Sequence, residues 1–160
     1  MRLATVVISV VLAAAAAQAA VAATTPDAGV RRALEAKATP FEVDDDGDYK
    51  ITVNFKDEGR TQLVFVRSVV ETYRNHRVRE IWSYGYRSDK DQFSALVANR
   101  LLDASNRVIL GSWVKQSKSA VFVVKVSADA SADELDAAID AAATAADEME
   151  KELTEGRDEF

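Results

Sequence analysis

Hydrophobic positions along this chain fall into stretches of period two and stretches of period three to four. Tyr49 to Lys56 alternates cleanly, with Tyr49, Ile51, Val53 and Phe55 on one side and Lys50, Thr52, Asn54 and Lys56 on the other. That is the pattern of a half-buried antiparallel strand. Arg60 to Val70 is apolar in both phases (Leu63/Phe65 and Val64/Val66), which predicts a strand near the sheet centre, covered on both sides. Arg77 to Arg87 returns to period two, placing Val78, Trp82, Tyr84 and Tyr86 on one face. Asn106 to Lys115 and Ser119 to Ser127 predict a hairpin around Gln116-Ser117-Lys118, both arms rich in β-branched and aromatic residues. Phe41 to Val43 is a short strand leading into the turn Asp44 to Asp48, where Asp and Gly tolerate left-handed backbone. Asp57 to Gly59 makes another turn, and Glu71 to His76 is polar and irregular.

Three segments have helical spacing. Pro26 suits a helix start, and Val30 to Ala38 can continue it until Pro40 stops it. Only Val30, Ala33, Leu34 and Lys37 give it a face, which predicts a lid on a sheet edge rather than a core element. Ser88 or Asp89 can cap a second helix reaching about Ala104, with Phe93, Leu96, Val97 and Leu101 as its buried stripe. The third is marked by Ser131 and Glu134, a capping box in which hydroxyl and carboxylate satisfy each other's backbone amides. Leu135, Ile139, Ala142, Ala146, Met149 and Leu153 then recur at spacings of four and three. Burying each large member of that stripe stabilises by about 1.5–3 kcal/mol. Gly156 onward is expected to be a frayed acidic tail. The resulting order, α-β-β-β-β-α-β-β-α, predicts an α+β fold: a single antiparallel sheet of about five or six strands with flanking helices.

The first residues change the picture of where this domain works. Met1-Arg2-Leu3 carries one positive charge, Ala4 to Ala17 is apolar apart from Thr5 and Ser9, and two small-x-small sites follow at Ala17-Gln18-Ala19 and Ala20-Val21-Ala22. Residues 1–23 therefore read as a cleavable signal peptide, leaving 24–160 as one domain, periplasmic or secreted, with no membrane attachment after cleavage. Leu3 to Ala23 is long enough to span a bilayer, but alanine is a weak membrane residue and no basic stop-transfer cluster follows. With no cysteine, the chain has neither a disulfide nor the lipidated residue of a lipoprotein. Among 160 residues, 26 Asp+Glu against 20 Lys+Arg give −6, which argues against nucleic acid as a partner. Arg67, Arg74, Arg77, Arg79 and Arg87 cluster locally; a solvated face is the expected meaning, ahead of an anion site.

Reactive chemistry finds little support. Aligning Gly47 with the glycine of a calcium loop puts Glu42, Asp44 and Asp46 at ligand positions, but Val53 at the closing carboxylate position; a turn is expected instead. His76 is the only histidine and has no cysteine to join, and no serine occupies a nucleophile elbow; Gly111-Ser112-Trp113 is expected mid-strand. The glycines are scattered singly, so no phosphate loop exists. No catalytic residue, metal ligand or cofactor site is assigned. The aromatic residues Trp82, Tyr84, Tyr86 and Trp113 are candidates for an interaction surface, because such rings combine contact area with a polar handle. Burial beneath the final helix is the competing expectation for these four, whereas Tyr73, in a loop, is the stronger candidate for exposure.

The order of elements and several local strings resemble the YbjN family, described as bacterial sensory transduction regulators. Asp46-Gly47-Asp48 before an alternating strand is similar to that family's first hairpin. The helix Phe93 to Asp103 with Asn99, followed by Asn106-Arg107 opening a strand, and Ser131 to Leu135 entering a terminal amphipathic helix, complete the likeness over Val30 to Leu153. The resemblance implies a fold like that of type III secretion chaperones, which acts by binding protein and has no active-site residues to transfer. The leader and the long stretch Arg67 to Arg87 depart from it. The expected function is a non-catalytic, exported, chaperone-like or regulatory interaction module with a protein partner or a second copy. The alternative is a periplasmic binder of a small apolar ligand or lipid, held in a cavity between the curved sheet and its helices. An enzyme ranks third.

Overall fold

The computed structural model describes residues 24–160; the segment read as a signal peptide, 1–23, lies outside the described residues. Within 24–160 the order is α1 (Ala28–Ala36), β1 (Glu42–Val43), β2 (Tyr49–Phe55), β3 (Arg60–Tyr73), β4 (His76–Arg87), α2 (Ala95–Arg107), β5 (Ser112–Gln116), β6 (Ser119–Ser127) and α3 (Ala132–Leu153). All strand pairs are antiparallel, in one six-stranded sheet of spatial order β1-β2-β3-β4-β6-β5. The fold is α+β with the element order that periodicity predicts.

The core forms on one face of that sheet. Tyr49 and Ile51 of β2, Val64 and Val66 of β3, Ile81 of β4 and Phe122 and Val124 of β6 point into it. They meet Leu135, Ile139, Ala142, Ala146 and Met149 of α3, with Leu101 and Ala104 of α2. Small residues on α3 permit close approach, most of all at Gly85 of β4. A Cβ there would lie 2.3 Å from the Trp113 ring and 3.1 Å from the Ala146 carbonyl. The capping box at Ser131 is present as read: Ser131 Oγ accepts from the Glu134 amide at 3.2 Å and the Glu134 carboxylate accepts from the Ser131 amide at 2.8 Å.

Several local expectations are corrected. Helix α1 is a core element rather than an edge lid, because Val30 and Leu34 are almost fully buried. It starts one residue after Asp27, whose carboxylate accepts from the amides of Gly29 and Val30, at 2.7 and 3.0 Å. Glu71 to His76 is not an irregular loop. β3 runs to Tyr73, β4 begins at His76, and Arg74 takes the left-handed conformation the tight turn needs. Helix α2 is capped by Ser94, which accepts from the Val97 amide, whereas Ser88 accepts from the Lys90 amide in a local turn. Phe93 thus precedes the helix, and Leu96 is 81% exposed instead of buried. Asn106 and Arg107 end α2 rather than opening a strand, and β5 waits until Ser112 because Gly111, at φ +84°, redirects the chain. Nor is β3 covered on both sides. Val64 and Val66 are fully buried, while Leu63 and Phe65, on the opposite face, are only half-buried.

Candidate functional site

The opposite sheet face carries a group of half-buried aromatic rings beside two buried valines, Val121 and Val123. Strand register sets it: Lys50, Phe65, Trp82, Val123 and Ser112 lie opposite one another across five strands. Tyr84, Val121 and Val114 form a second row across β4, β6 and β5. Phe65 stacks on Trp82 with ring centroids 4.6 Å apart, and Tyr84 meets Trp82 edge-on at 5.1 Å. All three rings are half-buried. Around them lie charged pairs, Arg67 with Glu80 at 3.4 Å and Glu80 with Lys125 at 3.1 Å. A cleft of about 420 Å³ beside Trp82 is lined by Thr24, Asp48, Arg67, Glu80 and Gln116, among others. Among the described residues the helices that build the core lie on the other side of the sheet; the final residues reach this face at Tyr84, and Thr24 lines the cleft beside Trp82. An apolar centre with a polar rim is the composition of a recognition surface.

The predicted aromatic group is divided by the sheet. Trp82 and Tyr84 lie on the open face, not beneath α3. Trp113 is 8% exposed and belongs to the core, its ring lying over Gly85. Tyr86 leaves the face assigned to it because β4 carries an irregularity between Tyr84 and Tyr86; it pairs with Ala120 rather than with the Val121 phase. Its ring then meets Phe93 at 5.8 Å on the helix side. Tyr73 is 69% exposed, at the tip of the β3–β4 hairpin beneath the Arg74 guanidinium. His76 is exposed on the same tip.

Two buried ionic clusters escaped the sequence reading. The first centres on Arg79, 3% exposed, so that one member of the arginine cluster is not on a solvated face. Its guanidinium donates to Asp27 Oδ2 at 2.8 Å and to the Ser68 carbonyl at 3.1 Å. Ser68 in turn donates to the Gly47 carbonyl at 2.6 Å, and its amide donates to Asp48 at 2.7 Å. The aspartate-rich turn is therefore tied into β3, and Asp44 Oδ1 accepts from the amides of Asp46 and Asp48. Burial opposes ionisation of Asp27, but the Val30 amide, the Arg79 guanidinium and the Gly29 amide outweigh it, holding its pKa below the ordinary value. At Asp48 burial prevails and raises the pKa.

In the second cluster Arg60 Nε donates to Asp147 at 2.6 Å and Nη2 to Glu150 at 2.8 Å, all three side chains being nearly inaccessible. Lys151 adds contacts to Asp147 at 2.9 Å and Glu58 at 2.7 Å. Burial pushes the Glu150 carboxyl above its ordinary range despite Arg60. A signal for both clusters existed in the sequence. Arg60, Gln62 and Ser68 share the phase of Val64 and Val66, Arg79 shares that of Ile81, and Asp147 and Glu150 fall on the buried stripe of α3.

These ionisable groups are saturated by each other and by backbone, an arrangement suited to holding the fold. Among the described residues no group of three or more His, Cys, Asp or Glu side chains is placed to hold a metal. Tyr49, Phe122, Leu34 and Ile81 are buried between sheet and helices, and a cleft of about 510 Å³ opens where α1 and the start of α3 meet β4 and β6. No described helix is long and apolar enough to cross a membrane. No protein-family model matches the chain, and no curated protein matches it.

Proposed function

We propose that this protein is an exported, non-catalytic interaction module that binds another protein through the open aromatic face of its sheet. The leader-like pattern of residues 1–23 supports delivery to the periplasm or beyond. The likeness of element order to the YbjN family, with its chaperone-like fold, supports protein binding as the class of activity. The observation that carries the reading is Phe65, Trp82 and Tyr84 stacked together, half-buried, on the face opposite all the core-forming helix contacts. Tryptophan and tyrosine in such a setting are the residues that dominate binding energy at protein interfaces.

The test compares partners captured by crosslinking from the native host's exported fraction. The bait is wild-type protein, the double variant Trp82→Ala/Tyr84→Ala, or the control Leu96→Ala. A specific partner is expected with wild type and Leu96→Ala, weakened at least tenfold by the face variant while thermal stability is kept. A partner held equally by all three proteins would mean that the face is not the binding surface.

A further inference from the structure

The open face already has an occupant, and it is part of this chain. Glu155 and Gly156, both with positive φ, turn the backbone sharply out of α3. Arg60 Nη1, on the helix side, donates to the Gly156 carbonyl at 3.0 Å. Thr61, the next residue and on the opposite face, donates from its amide and hydroxyl to Asp158 at 3.4 Å. The Glu159 amide donates to the Glu150 carboxylate. Phe160 then stacks on Tyr84 with ring centroids 5.5 Å apart, and the Arg87 guanidinium sits 5.6 Å from the Phe160 ring and 5.9 Å from that of Tyr84. The segment thus passes around the end of the sheet and delivers one aromatic ring to the aromatic face. Residues 155–159 are all exposed and the ring itself is half-buried, so the segment rests on the surface rather than within the core.

We propose that residues 157–160 are a displaceable strap on the aromatic face, and that the partner segment which replaces them carries the same chemistry: an aromatic side chain directly preceded by carboxylates. The inference rests on the face being the binding surface. Tyr84 supplies a ring to stack on, Arg87 a cation over both rings, Thr61 the donors for a carboxylate two residues earlier, and Arg60 a positive charge 3.7 Å from that carboxylate. An unrelated basic or purely aliphatic segment would leave Thr61 without that acceptor and Tyr84 and Arg87 without the ring between them. The strap shields the face until a partner of matching chemistry displaces it.

The experiment uses the purified mature protein, its Phe160→Ala variant and a synthetic peptide, Gly-Arg-Asp-Glu-Phe, with a Phe→Ala peptide as control. Aromatic NMR resonances of Tyr84 are expected to shift in the Phe160→Ala variant and to return when the intact peptide is added. The peptide is expected to bind that variant at least fivefold more tightly than wild type, because the Phe160 ring no longer competes for Tyr84 and Arg87, and the control peptide to bind neither. Identical Tyr84 resonances in the two proteins, or equal peptide affinity for both, would overturn the strap. A partner that still depends on Trp82 and Tyr84 would, in that event, leave the proposed binding face standing, so the two failures are separable.

Discussion

Arg79 shows how much a single side chain organises here. It sits in the inward phase of β4, where its neighbours are Ile81 and Ser83, and it joins the start of α1 to β3 through Asp27 and the Ser68 carbonyl. Removing the guanidinium leaves the Ser68 carbonyl and the part-exposed Asp27 carboxylate without their donor, which costs about 1–3 kcal/mol. Arg79→Met is therefore expected to lower the unfolding free energy from urea titration by about that amount. Arg77→Met, which removes only an exposed pair with Asp129, should change stability by under about 0.5 kcal/mol. Equal losses in both variants would show that Arg79 does not hold α1 in place. The acid range reports on the same clusters. Asp27 has a depressed pKa in the folded state, so its contribution is present above its ordinary value of 3.8 and is lost as pH falls through the folded value. Glu150 has the opposite sign. Its pKa is raised above 4.5, so its contribution is full below 4.5 and lost as pH rises through the folded value. The Glu150 contribution thus grows as pH is lowered toward 4.5, that of Asp48, also raised, grows toward 3.8, and that of Asp27 is lost below 3.8. Denaturant titrations across pH check this: Glu150→Gln should flatten the upper limb and Asp27→Asn the lower. Phase alone marked these buried polar residues in the sequence, but charge suggested solvent, and the rule that charged residues stay outside fails where each one finds a partner.

At the scale of elements, periodicity was a reliable guide wherever one face is buried and the other wet. β2 and α3 lie where alternation and a four-three stripe place them, while β6, buried on both faces from Ser119 to Val124, was marked by its β-branched residues. The capping box of α3 was legible because its chemistry is local, residue 131 to residue 134. Ser131→Ala is expected to cost about 1 kcal/mol, read as a lowered thermal midpoint, with Ser131→Asp restoring most of it. A Ser131→Ala variant as stable as wild type would show that the cap contributes nothing. Signals that depend on distant partners were illegible. The β3–β4 hairpin looked like a polar loop because Glu71 to His76 projects beyond the helices and needs no apolar side. The irregularity before Tyr86 moved one aromatic ring to the other face, a shift that no count of alternating residues reveals. Leu96 was assigned to a stripe that starts too early, since Ser94 rather than Ser88 caps α2.

At the scale of the molecule, all three helices contribute to the core on one side of the sheet, and the aromatic group is split accordingly. Composition supplies enough apolar surface to cover one face and leave a remainder, but a sequence does not say which rings make up that remainder. Apolar residues in both phases of β3 looked like double burial and instead combine a core face with a half-buried one. The final segment reaches that surface rather than fraying because Arg60, Thr61 and Tyr84 come together at one end of the sheet, from positions far from it in the chain. The most direct test places a photo-crosslinking amino acid at position 82 in the native host, with position 137 on the exposed side of α3 as the comparison. A discrete protein adduct is expected from position 82 and none from 137. Adducts identical from both positions, or none from 82 while the protein is folded and exported, would contradict it.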